Sequence, residues 1–108
     1  MSWNAYMMID TGGNSPAIVE DIRNVTYNNS GIFEALGIHP HDIEGKLGRE
    51  LTAPIAKALR ESYKPQRERE LLALEPKNKW GGLDDVRAFL EKVLAACKKH
   101  PKAVLSFH

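Results

Sequence analysis

The chain of 108 residues has one cysteine, Cys97. A lone thiol makes no internal disulfide and no cysteine-rich zinc site, so a reducing compartment is expected. No apolar run approaches the ~18 residues that a membrane span needs. The first ten residues, MSWNAYMMID, lack a basic stretch and a small-residue cleavage site, so no secretory leader is expected. The sequons at Asn24 and Asn28 then carry no weight. A cytoplasmic protein without membrane contact is the expectation. Charge of one sign is lacking too: 15 Lys+Arg against 14 Asp+Glu leaves a formal charge of +1. The basic stripe of a duplex binder is missing, and nucleic acid is an unlikely partner on that ground. GxSxG, Walker, GxGxxG, HExxH and paired-Cys motifs do not occur, so no cofactor is expected.

What is there suits a globular chain: 43% hydrophobic and 27% charged residues. A protein of this size exposes about 6,000 Å² folded against roughly 17,500 Å² unfolded, enough burial for one core. Residues 1–108 are therefore read as a single domain. Residues 2 to 10 alternate as a strand, with Trp3, Ala5, Met7 and Ile9 on one face. The run 11–16 is a turn by its Gly and Pro content. A second strand is expected over about 17 to 27, with a slip of alternation at Glu20-Asp21 that suggests a bulge. Asn28, Asn29 and Ser30 supply capping side chains for a short apolar turn through Ile32, Phe33 and Leu36. Residues 37 to 48 read as loop.

A helical period returns from about 50 to 63, which places Pro54 in a first turn. Another helix runs from 66 to about 74 through Leu71, Leu72 and Leu74. Residues 75–82 form a loop. The strongest period comes next, at Leu83, Val86, Phe89, Leu90, Val93, Leu94 and Cys97. Residues 103–107 close the chain as a strand. The expected fold is α+β: a small antiparallel sheet, made of the N-terminal hairpin and the C-terminal strand, packed by three to four helices.

Three segments carry candidate chemistry. In Gly37-Ile38-His39-Pro40-His41-Asp42, two imidazoles and a carboxylate lie close enough in sequence to share a metal ion. The structural reading is a polar loop stiffened by Pro40, with Asp42 capping the next segment. Thr26-Tyr27-Asn28-Asn29-Ser30 feeds a strand end into a helix start, where backbone N–H groups favour polar ligands. Its structural reading is a local cap. Lys77-Asn78-Lys79-Trp80-Gly81-Gly82 sets a tryptophan among lysines and glycines, suited to anchoring a partner or stacking a base. Its structural reading is a lid on the core. The alternating run from Lys64 to Glu70 is a solvated face.

The GxHPH string at 37–41 resembles an element of the TatD-like metal-dependent nucleases, and Met8-Ile9-Asp10-Thr11 is similar to their opening strand. Here Gly12-Gly13 stands where that family has its His-x-His pair, and its barrel needs ~200 or more residues. A second resemblance spans residues 22 to 107. Thr26-Tyr27-Asn28-x-Ser30, Gly45-Lys46-x-Gly48, Ala53-Pro54, Asn78-x-Trp80-Gly81, Phe89-Leu90, Ala96-Cys97 and His100-Pro101-x-Ala103 resemble a family of small uncharacterised bacterial, notably actinobacterial, and phage proteins. The resemblance implies a phage or mobile-element setting and no mechanism.

These readings converge on a small non-enzymatic cytosolic binding protein that takes a host protein or a small polar ligand. Tyr27, Asn28, Asn29, Lys79 and Trp80 are its candidate binding residues. The alternatives are a metal-dependent hydrolase using His39, His41 and Asp42, and a single-stranded nucleic-acid binder using Trp80 with Lys77 and Lys79. The hairpin's edge strand would also permit a homo-oligomer.

Overall fold

Two stretches of alternating sequence and one short C-terminal run build the sheet. The computed structural model describes residues 2–9, 17–26, 29–75 and 82–107, with backbone alone at positions 2 and 23–26. Strand β1 (Ser2–Ile9) pairs antiparallel with both β2 (Ala17–Thr26) and β3 (Val104–Phe107), giving the order β2-β1-β3. Ala5 and Met7 are fully buried, and Leu105 beside Met7 continues that row. On the other face of β1, Asn4 is exposed and Tyr6 and Met8 are half-buried. The expected turn over 11–16, with Asp10 and Tyr27 at the strand ends, lies outside the described residues.

The slip in alternation is a pair of bulges. Ala5 opposes Arg23 while Tyr6 opposes Asp21, so Ile22 is an extra residue of β2. Met7 opposes Glu20 while Met8 opposes Ile18, so Val19 is a second one. Each bulge lets two successive β2 residues face the core, which is why Ile22 is buried and Val19 packs on the cluster.

Five helices occur among the described residues: α1 (Ser30–Ala35), α2 (Pro40–Ile43), α3 (Gly48–Ser62), α4 (Pro65–Leu72) and α5 (Leu83–Lys99). The fold is α+β as expected, with one helix more. The extra one is α2, inside the run read as loop. Pro40 fits a first helical position, and His39 Nδ1 accepts a hydrogen bond from His41 N at 3.2 Å. The imidazole, rather than Asp42, is the cap. Residues 44–48 then close the outer edge of β3. Gly45 N donates to Leu105 O at 2.8 Å, Leu105 N to Lys46 O at 3.0 Å, and Phe107 N to Glu44 Oε2 at 3.0 Å.

Helix α5 lies along β2 and α3, and its apolar stripe is the centre of the core. Leu83, Val86, Phe89, Leu90, Val93, Ala96 and Cys97 are all buried. Burying each large member stabilises by roughly 1.5–3 kcal/mol relative to exposure. Asp84 and Asp85 begin the helix and Lys98 and Lys99 end it, which suits its dipole.

Helix α3 starts two residues earlier than its period suggests, because Gly48 fits where no side chain would. A Cβ there would lie 2.6 Å from His100 O. Pro54 therefore falls in the second turn of α3 and not the first. The proline is exposed, so water can satisfy the carbonyl left without its helical N–H. Helix α4 ends at Leu72, short of the expected 74; only Leu71 of it is buried, while Leu72 and, beyond the helix, Leu74 are exposed.

Candidate functional site

Asn29 is fully buried at the start of α1, yet its side chain makes no cap there. Its Oδ1 accepts instead from Gly82 N, 53 residues away, at 2.9 Å. A backbone N–H can only bond an acceptor, so the amide's orientation is fixed and Nδ2 points elsewhere. That Nδ2 is buried and has no hydrogen-bond partner among the described residues. The local-cap reading of this asparagine is thus corrected: it joins the bend before α1 to the loop before α5. The physical reason lies in α5, whose first N–H groups have no helical acceptors and draw one from across the fold.

Glu75 completes the junction. Its Oε1 accepts from Leu83 N at 2.9 Å, a charge-assisted bond at the positive end of α5. Gly82 lets the carboxylate approach: its φ is 151°, and a Cβ would lie 3.1 Å from Glu75 Oε1. Sequence reasoning missed Glu75, since a carboxylate eight residues before a helix carries no local capping signal. Of the five candidate binding residues, Asn29 alone can be placed. Tyr27, Asn28, Lys79 and Trp80 lie outside the described residues, as does Lys77. The Asn29–Gly82 hydrogen bond nevertheless joins the described ends of the two segments that hold them.

The His39-Pro40-His41-Asp42 segment is arranged as a cap and a stack. The two imidazoles lie with centroids 4.9 Å apart and planes 19° apart, and Trp3 meets His39 edge-on at 5.4 Å. Stacked rings present faces to each other, not converging nitrogens, and His39 Nδ1 is already an acceptor for His41 N. Asp42 is exposed in the first turn of α2. Among the described residues, no three His, Cys, Asp or Glu side chains come together to hold a metal ion. Among the described residues, the His39-Pro40-His41-Asp42 side chains do not form the three-ligand set that the nuclease resemblance implies.

A third polar cluster, absent from the sequence reading, centres on Arg87 of α5. Its guanidinium donates to Ser62 O, to Ser62 Oγ at 3.3 Å and to Glu68 Oε2 at 2.7 Å. It also lies 4.1 Å from the centre of the Tyr63 ring and 3.9 Å from Asp84 Oδ1. Its side chain is only 12% exposed. The cluster clamps α5 to the corner between α3 and α4. At that corner Glu61 pairs with Lys64 at 2.9 Å across the end of α3, and this hydrogen bond holds the Glu61 carboxyl below its usual range.

No protein-family model, curated protein or solved structure matches this chain. Its site is therefore read from its own geometry. Among the described residues no helix is long and apolar enough to cross a membrane.

Proposed function

We propose that this chain is a small cytoplasmic binding protein without catalytic machinery. It takes a protein partner or a small polar ligand where the 27–30 bend meets the 77–82 loop. The observation that carries the reading is the Asn29 amide. It is buried, it spends its oxygen on Gly82, and among the described residues its Nδ2 donor has no partner. A buried donor without a partner costs about 1–3 kcal/mol. A ligand oxygen arriving at Nδ2 would recover that loss, which gives the site a chemical preference for acceptors. Tyr27 and Trp80 are next to this junction in sequence and supply the aromatic residue types that anchor interfaces. The resemblance over residues 22 to 107 adds a bacterial or phage setting to the reading.

The test is capture from bacterial lysate on the immobilised chain, with bound proteins and small molecules identified by mass spectrometry. A partner held by the wild type should be lost on Trp80→Ala or Asn28→Ala at unchanged melting temperature. The expected loss is more than about 1 kcal/mol of binding for Trp80. A bound partner indifferent to both substitutions would overturn the site, as would losses of binding that track losses of melting temperature.

A further inference from the structure

The donor left over at the Asn29 junction has an acceptor for a neighbour. Oδ1 of the amide is fixed on Gly82 N, so Nδ2 is held beside the start of α5, where among the described residues it has no partner. Asn29 is fully buried, and a carbonyl bonded at Nδ2 would be shielded from competing water. The next backbone donor, Leu83 N, is taken by Glu75 Oε1. Glu75 is exposed, and its other oxygen, Oε2, makes no hydrogen bond among the described residues. A Cβ on Gly82 would lie 3.7 Å from that oxygen. One unused donor and one unused acceptor therefore flank the same glycine.

A helix N-terminus ordinarily draws anions. Its free N–H groups and a dipole worth about half a positive charge favour phosphate or carboxylate. Here three carboxylates, Glu75, Asp84 and Asp85, stand at that end of α5. Arg87 reaches Asp84 at 3.9 Å, but its guanidinium is bound to Ser62 and Glu68. With the guanidinium and the dipole both counted, the described groups still leave this end negative, so an anion is repelled. A cation offers nothing to Nδ2, which only donates. What fits is a neutral group with an acceptor and a donor side by side, as in a carboxamide or a peptide group. A ketone would satisfy Nδ2 and leave Glu75 Oε2 unused.

We infer that the junction binds an uncharged amide, its carbonyl accepting from Asn29 Nδ2 and its N–H donating to Glu75 Oε2. Glu75 thereby has two tasks: Oε1 holds the start of α5, and Oε2 selects the ligand. The inference rests on the junction being a binding site and adds the class of ligand to that reading.

Three probes of one shape separate the contributions: benzamide, acetophenone and benzoate. Each is titrated into the isotope-labelled full chain, with the Asn29 side-chain amide and the Gly82 and Leu83 backbone amides as NMR reporters. Benzamide should bind about tenfold more tightly than acetophenone, which lacks the N–H. Benzoate should bind more weakly than benzamide by at least as much, and its disadvantage should shrink in about 1 M salt. Glu75→Gln keeps an oxygen for Leu83 N and removes the charge, so the advantage of benzamide over benzoate should fall by about tenfold. The salt titration needs no variant and keeps the test open if that substitution does not fold. N-acetyl-alanine methylamide tells the two sources of an amide apart: binding as tight as that of benzamide supports a peptide group of a protein partner, and weaker binding supports a free carboxamide. Benzoate or acetophenone binding as tightly as benzamide overturns the amide and leaves the junction a binding site. Probes that move none of the reporters overturn it too, while a lysate partner that still depends on Asn28 and Trp80 would keep the broader reading.

Discussion

Helix α5 makes two buried polar junctions, and they are finished to different degrees. At the Arg87 corner every guanidinium nitrogen faces an acceptor or a carboxylate, and the ring of Tyr63 covers the plane. At the Asn29 junction the acceptor half of the amide is used, while the donor half has no partner among the described residues. Both tie segments far apart in sequence, so either would serve to hold the fold. The difference is in what remains. A group whose hydrogen-bonding capacity is spent is explained by structure alone, whereas a buried donor left over is a cost that folding does not repay. That asymmetry is the reason for placing recognition at Asn29 and stability at Arg87.

The contrast breaks first at Arg87. Arg87→Ala strands the buried Ser62 carbonyl and removes the partner of Glu68. Breaking a fully buried pair costs about 3–5 kcal/mol, but Glu68 keeps access to water. The expected loss is therefore about 2–3 kcal/mol in urea unfolding. Arg87→Lys keeps the charge but loses the planar fork and the stack on Tyr63, and should restore less than half of it. A loss under about 0.5 kcal/mol for the alanine variant would show that the corner does not hold the helices.

The Asn29 junction should yield a smaller effect. Asn29→Ala leaves Gly82 N–H without its acceptor, yet it also deletes the unpaired Nδ2. Deleting the unpaired donor offsets part, but not all, of the cost of the stranded N–H, so the net loss should be about 0.5–1 kcal/mol by the same measurement. A loss as large as that of Arg87→Ala would mean that both halves of the amide are satisfied, and the binding role assigned to the junction would fall.

The same division separates what the sequence made legible from what it hid. The stripe from Leu83 to Cys97 could be read because helical periodicity is local, and each apolar residue repeats the signal of its neighbours. The β2 bulges were half visible, as broken alternation at Glu20-Asp21, because a strand's faces are set by successive residues. Helix α2 was hidden, since its one turn hangs on a histidine acting as cap, a role that favours other residue types. Asn29 was legible as a polar helix start. Its bond to Gly82 was not, because the same amide that caps locally can equally reach across the fold. Glu75 and Arg87 gave no pattern, since their hydrogen-bond partners lie 8 to 25 residues away and are chosen by packing. The two bulky binding candidates, Tyr27 and Trp80, remain expectations of the sequence.

Cys97 offers the finest test of the comparison, since it is a titratable group held by burial alone. It lies on the inner stripe of α5, and burial pushes its thiol up from 9.0 to about 11. The folded chain thus keeps the proton over a range in which the unfolded chain releases it. Below pH 9 both states are protonated, and this group gives stability no pH dependence. Between pH 9 and about 11 the unfolded state binds fewer protons, so stability falls as pH rises, by at most about tenfold in the unfolding constant per pH unit. Cys97→Ala removes that slope, while all other alkaline titrations stay common to both chains and cancel in the difference. The expected outcome is a gap between wild type and variant that is constant up to pH 9 and shifts in favour of the variant above it. Parallel curves from pH 7 to 11 would mean that the thiol ionises alike in both states, and that the inner stripe of α5 admits water.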